Sequence, residues 1–217
     1  MKENEIHVWV AELDQLSYQV QQLEETLSLE ERSRADRFRL ENDRNRFIVG
    51  HGILRRILGR YLGIEPHLLK FFRGAHGKPY LQNDSSSRLI HFNISHSGAI
   101  GLFVFTRNRE IGVDVEKVRP IADLDRIVRS FFSERENTAF HMLPESQKTK
   151  AFYMCWVRKE AFIKAIGMGL YLPLDTFEVS VAPDDPARLL SISGEAAFRW
   201  TIYDIKPASG YVSAIAV

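Results

Sequence analysis

The chain contains two long stretches in which apolar residues recur every three or four positions, as they do on one face of an α-helix. The first starts near Asn42 and stops at Gly63, and the second runs from about Thr149 to Gly167. A glycine just past the last apolar position is a common helix terminator. Each stretch therefore predicts a long amphipathic helix. The repeat in the second stretch is carried by Phe152, Trp156, Lys159, Ile163 and Ile166.

Shorter apolar segments, alternating or continuous, predict β-strands. These are residues 6–10, 89–95, 100–105, 111–116, 177–181, 198–205 and 211–217. Residues 28–31 and 133–136 have the spacing of capping boxes, so each predicts a helix start. The first of these helices is expected to run through Phe38, and another helix is expected near residues 123–132. Polar corners are predicted at residues 83–87 and 95–98.

The order of these elements is similar in the two halves of the chain, since each half runs strand, helices, strands. This order predicts an α+β fold built from two pseudo-symmetric lobes. The polar segment at residues 106–109 separates them, which gives an N-terminal lobe of residues 1–107 and a C-terminal lobe of residues 108–217. A chain of 217 residues is long enough for one large domain or for two small lobes with a shared core.

Composition narrows the class of protein. The formal net charge of +1 argues against binding to nucleic acid by bulk charge. The single cysteine, Cys155, cannot form an internal disulfide or a cysteine-rich zinc site, and its apolar surroundings indicate a core residue. The charged N-terminus lacks a signal core, and no apolar run is long enough to cross a bilayer. These features predict a cytoplasmic protein with no membrane partner.

Acidic residues with a two-residue spacing provide the first chemical signal. Asp114 and Glu116 lie on a predicted strand, so both carboxylates face the same side. Two carboxylates so near each other repel unless a cation lies between them. Mg²⁺ is the natural candidate, because it prefers oxygen ligands. Glu160, on the second long helix and one turn before Lys164, is the candidate third ligand. The alternative interpretation is a solvated strand end and a surface Glu–Lys pair.

Other polar groups admit both a structural and a functional interpretation. Gly77, Lys78 and Pro79 form a turn with a cation at its tip. Ser95 and His96 are adjacent, but neighbours on a strand face opposite sides and no nucleophile-elbow pattern surrounds them, so we interpret them as phosphate-binding groups. The basic residues Arg32, Arg34, Arg37 and Arg39 indicate a solvated helix face, of which a subset could bind phosphate. No Walker or dinucleotide-binding motif is present.

Three segments in order carry a family resemblance. They are Phe92-Asn-Ile-Ser-His-Ser-Gly98, Gly112-Val-Asp-Val-Glu116 and Trp156-Val-Arg-Lys-Glu-Ala-Phe-Ile-Lys164. Together they resemble the signature motifs of the surfactin-type 4′-phosphopantetheinyl transferases, in the family's order and at its approximate spacing. Gly77-Lys78-Pro79 and the segment from Gly167 to Asp175 also resemble family segments, so the similarity covers most of the chain.

The resemblance implies a fold and a reaction. Coenzyme A would bind in the cleft between the two lobes, and its phosphopantetheine arm would pass to a serine of an apo acyl, peptidyl or polyketide carrier protein. Adenosine 3′,5′-bisphosphate would be released. Mg²⁺, with Mn²⁺ as the alternative metal, would be held by Asp114, Glu116 and Glu160. A monomer would suffice, since one chain would supply both sides of the cleft.

The resemblance also implies roles for the remaining residues. Glu160 would be the general base, directly or through water, and Lys164 would neutralise the pyrophosphate. Because metal coordination would weaken Glu160 as a base, a metal-bound water is the alternative proton acceptor. The expected coenzyme A contacts are Arg34, Arg73, Gly77, Lys78, Pro79, Ser95, His96, Glu160 and Lys164.

Two other functions remain open from the sequence. One is a non-catalytic module that binds a carrier protein or a nucleotide, and the other is a metal-dependent phosphohydrolase that uses the same acids on water. A docking surface for an acidic helical carrier is expected to be partly apolar. Residues 131–132 and 142–143 are candidates for such a surface and equally for the core.

Overall fold

The structure is a computed structural model that describes residues 1–2, 4–82, 90–192 and 197–217. The first half contains β1 (His7–Glu12), α1 (Ser17–Glu24), α2 (Leu29–Ala35), α3 (Glu41–Leu62), β2 (Phe71–Arg73), β3 (Pro79–Leu81), β4 (Ile90–Ser97) and β5 (Ile100–Arg107). The second half contains β6 (Gly112–Lys117), α4 (Leu124–Phe131), α5 (Glu134–His141), α6 (Glu145–Ile166), β7 (Phe177–Val179), β8 (Leu189–Ile192), β9 (Ile202–Ile205) and β10 (Tyr211–Ala216).

Each half is built around one antiparallel sheet and one long helix. The sheet of the first half has the strand order β1-β5-β4, and that of the second half has the order β6-β10-β9. In both, the first strand of the half is an edge and the last strand is central. Each half also contains a two-stranded hairpin, β2-β3 or β7-β8. The predicted α+β fold with two pseudo-symmetric halves is confirmed; the exact lobe boundary at residue 107 stays a prediction.

The long helices supply the cores. Leu54 and Leu58 of α3 pack with Phe92, Phe103 and Phe105 of the first sheet. The apolar face of α6 packs on the second sheet in the same way and forms a larger cluster that includes the buried Cys155. Both helices have 22 residues and end at a glycine in the left-handed conformation, which accepts this conformation without the Cβ strain of other residues.

The two halves meet where strand β4 lies beside strand β6. The Asn93 side chain on β4 accepts a hydrogen bond from the Val113 backbone N–H on β6, at 3.0 Å. Apolar residues of both sheets, including Leu102, Val113 and Ile215, form a common buried cluster next to this bond. The polar residues of β4 and β6 are thereby held beside one another.

Most predicted elements are present, with several corrections. Both capping boxes are confirmed, since Ser28 and Ser133 each accept a hydrogen bond from the N–H three residues on. Helix α2 ends at Ala35 rather than at Phe38, and α6 begins earlier than predicted. Strand β4 continues to Ser97, so the corner expected at residues 95–98 shrinks to the turn at Gly98.

Other elements depart from the sequence prediction. Helix α1 and strands β2, β3 and β8 were not predicted, and the strand expected at residues 198–205 is a short 3₁₀ turn followed by β9. The polar turn predicted at residues 83–87 and Leu89, the first residue of the next predicted strand, lie outside the described residues. Among the described helices, none combines the length and apolar character needed to cross a membrane.

Candidate active site

Serines and carboxylates pair across the boundary between the two halves. The Ser95 hydroxyl donates to Asp114 Oδ1 at 2.8 Å, and the Ser97 hydroxyl donates to Glu116 Oε2 at 2.7 Å. The two pairs are two residues apart on each strand, because alternate residues of a strand face the same side. The predicted two-residue spacing of the acids on β6 thus has a matching spacing of hydroxyls on β4.

Helix α6 approaches this row of polar groups closely at Gly112. A Cβ atom at Gly112 would collide with the backbone of α6 at Ala161 and Ala165, so only glycine allows this approach. Two residues along the strand, Asp114 faces the helix. The Lys164 ammonium donates to Asp114 Oδ1 at 2.6 Å and to Ser95 Oγ at 3.1 Å. One cluster therefore joins β4, β6 and α6.

The three predicted metal ligands affect one another electrostatically. Burial raises the pKa of Glu160, and the negative charges of Asp114 and Glu116 raise it further, against the opposing effect of Lys164. Burial also raises the pKa of Glu116, with a smaller upward contribution from Asp114 and a downward one from its hydrogen bond to Ser97. Gathering three carboxylates around one lysine leaves their charge under-compensated, which is the condition that a bound cation relieves.

The donor atoms suit a divalent cation such as Mg²⁺, because all three side chains offer hard oxygen ligands. Asp114 Oδ2 is buried and has no hydrogen-bond partner among the described residues, and a buried acceptor without a partner is costly unless something binds it. Within the described residues, however, no three acidic, histidine or cysteine side chains form a ready-made metal cluster. The cation in contact with Asp114 is Lys164, so the chemistry of the residues fits a metal, while their use as its ligands stays a prediction.

The predicted coenzyme A contacts from β4 lie at this cluster or beside it. Ser95 is part of the cluster, and His96 faces away from it into solvent on the exposed side of the strand. Although the His96 ring is exposed, enough protein atoms surround it for desolvation, followed by the charges of Lys164 and Arg46, to lower its pKa. His96 is therefore near the positive groups of the site without touching the acids.

The turn at residues 77–79 acts as a brace. Lys78 Nζ donates to Glu110 at 2.6 Å and to the backbone carbonyls of Ala165 and Ile111 at 2.7 and 3.2 Å. All three ammonium protons are thus engaged by the protein, and burial lowers the pKa of Lys78. Gly77 occupies the positive-φ position of the turn. The brace fixes the C-terminal end of α6, just beyond Lys164.

The predicted arginine contacts lie in two different places. Arg73 is exposed on the hairpin and donates to the Gly77 carbonyl at 3.2 Å, so it borders the turn. Arg34 is exposed at the end of α2 and lies over the Phe47 ring, 5.2 Å from its centroid. No contact in the described part of the chain joins either arginine to the acidic cluster, and their ligand roles stay predictions.

Several site residues were missed from the sequence. Ser97 and Asn93 share the two-residue spacing of Ser95, and that spacing could have revealed them. Arg46 and Arg119 influence the pKa values of His96 and Glu116 respectively, but Arg46 is distant in sequence from His96, and Arg119, three residues after Glu116, belongs to no motif. Their positive charges widen the site beyond the predicted residues.

Two basic residues next to Glu160 are structural. Arg158 is fully buried and forms an ion pair with Asp204. Lys159 is also fully buried, forms an ion pair with Glu136 at 2.7 Å and donates to the carbonyls of Leu174 and Phe177. Both point away from the acidic cluster, so neither is available to a substrate there.

Comparison with known proteins identifies the family. The model of the 4′-phosphopantetheinyl transferase superfamily matches residues 110–216, and the model of the 4′-phosphopantetheinyl transferase N-terminal region matches residues 9–106. The chain belongs to the 4′-phosphopantetheinyl transferase superfamily. It is accordingly a transferase, and the resemblance stated from its motifs is confirmed.

Individual relatives support the same assignment. The chain is 40% identical to the 4′-phosphopantetheinyl transferase HetI of Nostoc sp. over 214 residues, covering 99% of this chain and 88% of the relative. It is 31% identical to the 4′-phosphopantetheinyl transferase Sfp of Bacillus subtilis strain 168 over 189 residues, covering 87% of this chain and 81% of the relative. The similarity therefore extends over both halves.

Proposed function

We propose that this transferase moves the phosphopantetheine arm of coenzyme A onto a serine hydroxyl of an apo acyl, peptidyl or polyketide carrier protein. The observation that supports the proposal best is the cluster in which Lys164 bridges Ser95 of the first half and Asp114 of the second. It assembles a cation, a hydroxyl and carboxylates from three elements at the boundary between the halves, which is the cleft where coenzyme A is expected.

The reaction is a phosphoryl transfer. The carrier serine oxygen forms a bond to the phosphorus that bears the pantetheine arm, the bond to the bridging oxygen of the pyrophosphate breaks, and adenosine 3′,5′-bisphosphate leaves. Such transfers depend chiefly on positioning and on charge neutralisation. Lys164 can neutralise the pyrophosphate because its ammonium already lies among acceptors of the cleft, and Ser95 can donate to a phosphate oxygen in place of Asp114.

The serine proton must leave as the new bond forms. Glu160 is the candidate acceptor, as a half-buried carboxylate one helical turn from Lys164. Asp114, Glu116 and Glu160 would together hold Mg²⁺, which when bound would supply charge neutralisation and orientation at the pyrophosphate. Ser95, His96, Arg34, Arg73 and the turn at residues 77–79 would contact coenzyme A, with Lys78 acting mainly through the brace described above.

Two exposed apolar side chains of the second half are candidate contacts for the carrier protein. Phe131 is 41% exposed and Met142 is 80% exposed, whereas Phe132 is only 2% exposed and belongs to the core. Residues 131–132 and 142–143 were candidates both for a docking surface and for the core, and in each pair one residue lies on the surface. An acidic helical carrier would cover the two exposed side chains.

Mass spectrometry of several apo carriers, incubated with this protein, coenzyme A and Mg²⁺, tests the proposal. We expect a gain of one phosphopantetheine unit per carrier, and no gain when EDTA is present from the start of the reaction. Asp114→Ala and Glu160→Gln should each lower the initial rate by at least about a hundredfold, which corresponds to roughly 2.7 kcal/mol of transition-state stabilisation. Near-normal labelling by either variant would refute the site assignment.

Glu145→Gln is the matched control. It removes one carboxylate from the exposed first turn of the same helix, far along the helix from Glu160, and should label carriers at the normal rate. Far-ultraviolet circular dichroism should show that all variants are folded. Release of adenosine bisphosphate at full rate without any carrier would instead indicate a phosphohydrolase.

A further inference from the structure

The two halves contain the same buried side-chain arrangement, which fixes a residue-by-residue correspondence between the long helices. Arg55 on α3 pairs with Glu31, the capping-box glutamate of α2, and donates to the carbonyls of Pro66 and Leu69. Lys159 on α6 pairs with Glu136, the capping-box glutamate of α5, and likewise donates to two carbonyls just beyond its helix. Each cation precedes the terminating glycine of its helix by the same number of residues.

This correspondence has a consequence for the catalytic face. If Arg55 matches Lys159, then Arg56 matches Glu160 and Arg60 matches Lys164. The strands agree in which residue faces the helix: Trp9, the third residue of β1, contacts α3 through a hydrogen bond to Tyr61, and Asp114, the third residue of β6, contacts α6 through Lys164, although Tyr61 corresponds to Ala165, the neighbour of Lys164. The first half therefore contains a counterpart of the acidic site in which arginine and tryptophan replace carboxylates.

The counterpart is an open groove. It lies between β1, α1 and α3 and encloses about 440 Å³. Leu23 and Ile57, both buried, contribute to its floor, and the Trp9 side chain, 44% exposed, forms part of one wall. Trp9 Nε1 donates to the Tyr61 hydroxyl at 3.0 Å, which holds the indole in place while much of its ring surface stays accessible.

The groove is positively charged. Arg56 and Arg60 are both exposed and lie one helical turn apart on the lining, against the single carboxylate of Glu12. Arg56 donates one N–H to the Gln22 carbonyl at 3.3 Å, and the remaining donors of the two guanidinium groups are of the kind that binds phosphate oxygens in pairs. Because the acids of the other half are replaced by cations, an anion can bind here without a metal ion. An exposed indole beside such a pair offers a surface on which a planar ring can stack.

We propose that this groove, formed by Trp9, Arg56 and Arg60 with its apolar floor, is a second ligand site that binds a phosphorylated molecule with a planar ring, of the nucleotide class. The phosphates contact the two arginines and the ring stacks on Trp9. The site is separate from the transfer chemistry, and its existence does not depend on the role proposed for the acidic cluster.

Nuclear magnetic resonance of the ¹⁵N-labelled full chain tests this directly, using ADP in the absence of divalent cations. The chain has three tryptophans, so it gives few indole N–H signals, and Trp9→Phe assigns the one from Trp9. We expect ADP to shift the Trp9 indole signal in a saturable way. Arg56→Gln combined with Arg60→Gln should weaken that binding at least about tenfold, since each charge-assisted contact to phosphate is a strong one.

A matched variant separates the groove from general charge effects. Arg126→Gln with Arg129→Gln removes the same charge from two exposed arginines of α4, and should leave the ADP titration unchanged. Glu160→Gln should also leave it unchanged, which makes the result independent of the catalytic proposal. Inorganic pyrophosphate should bind several-fold more weakly than ADP because it lacks the ring.

Three results would overturn the proposal. The first is a Trp9 signal that does not move at millimolar ADP, and the second is equal affinity in the Arg56/Arg60 double variant. The third is equal affinity for pyrophosphate and ADP, which would remove the ring from the assignment. Unfolding curves of the double variant that match those of the parent chain show that a loss of binding is local.

Discussion

Helices α3 and α6 are the two most comparable regions of the molecule, and they differ where chemistry is expected. Both have a buried cation that joins a capping-box glutamate to loop carbonyls beyond the helix. On the neighbouring face, α3 presents Arg56 and Arg60, whereas α6 presents Glu160 and Lys164. The shared part lies in the interior, and the divergent part lies on an accessible face beside the first strand of each sheet.

The comparison separates residues that build the half from residues that act on a ligand. The buried cation contacts three segments in each half, so its removal should destabilise the whole of that half. The residue that follows it in sequence faces the other way and can change without disturbing the fold. The adjacent residues Lys159 and Glu160 therefore have different roles, one in stabilising the fold and one at the candidate site, although they are neighbours in one sequence motif.

The largest effect is expected from Lys159→Met. Lys159 and Glu136 are almost fully buried, so removal of the cation leaves an uncompensated carboxylate in the core, at a cost of about 3–5 kcal/mol in the free energy of unfolding. Urea unfolding followed by circular dichroism measures this loss. Adding Glu136→Gln should recover part of it, because the amide removes the buried charge while its one oxygen can still accept from either the Ser133 or the Val179 backbone N–H.

The loss of stability in Lys159→Met should depend on pH. Burial already raises the pKa of Glu136, against the opposing effect of Lys159. Without the lysine the folded pKa rises further above its unfolded value, so the folded variant binds a proton more readily than the unfolded one. The decrease in the free energy of unfolding caused by Lys159→Met should accordingly be smaller at pH 5 than at pH 8. A variant within about 1 kcal/mol of the parent chain at pH 8 would contradict the role of the pair.

The second prediction concerns His51, which precedes Arg55 by one turn as Cys155 precedes Lys159. Burial lowers the pKa of His51 to about 4, from an ordinary value of 6.5. The unfolded chain therefore binds a proton first as the pH falls, and stability present above pH 6.5 is lost down to about pH 4. The loss is on the order of 3 kcal/mol, since one pKa unit corresponds to about 1.4 kcal/mol.

His51→Gln removes this titration and provides the measurement. Unfolding free energies of the variant should change less between pH 7 and pH 4.5 than those of the parent chain. Burial raises the pKa of the Cys155 thiol well above its ordinary value, so Cys155→Ala should leave the acid dependence as it is. If the His51 variant kept the full acid dependence of the parent, carboxylates elsewhere would have to explain it.

Arg55→Met is the counterpart of the Lys159 substitution and should cost less, about 2 kcal/mol. Its partner Glu31 retains 16% exposure of its side chain, against 2% for Glu136, so water can partly solvate the carboxylate that is left behind. The comparison is made by urea unfolding at pH 7 under the same conditions. A cost equal to that of Lys159→Met would show that exposure of the acid does not govern the difference.

The sequence predicted the helix ends that have a capping residue well, and the contacts between helices poorly. Ser28, Ser133, Gly63 and Gly167 act through neighbours three or four residues away, so local spacing reveals them. The pairing of Lys159 with Glu136 joins separate helices, and periodicity carries no information on such contacts. Its only local sign was a lysine placed within an apolar stripe.

The candidate site shows the same division. The common side of Asp114 and Glu116 follows from strand geometry, and the motif resemblance supplied Glu160 and Lys164. Ser97 was missed although its two-residue spacing from Ser95 was a local sign, whereas Arg46 was missed because its proximity to His96 is a tertiary contact between segments distant in sequence. The counterpart groove at Trp9 was also invisible in the sequence, since it depends on aligning the two halves through their buried cations.

The smallest effect in this comparison concerns the serines of the two capping boxes. Ser28→Ala and Ser133→Ala each remove one hydrogen bond to a helix N-terminus and should cost about 1 kcal/mol. Ser133 is buried and lies 3.4 Å from Glu178, so its substitution should cost more than that of the half-buried Ser28. Replacement by threonine keeps the acceptor and should restore most of the loss at Ser28, where there is room for a methyl group in solvent. Differential scanning calorimetry resolves shifts of this size, and equal costs at both sites would mean that the buried environment of Ser133 adds nothing to the cap.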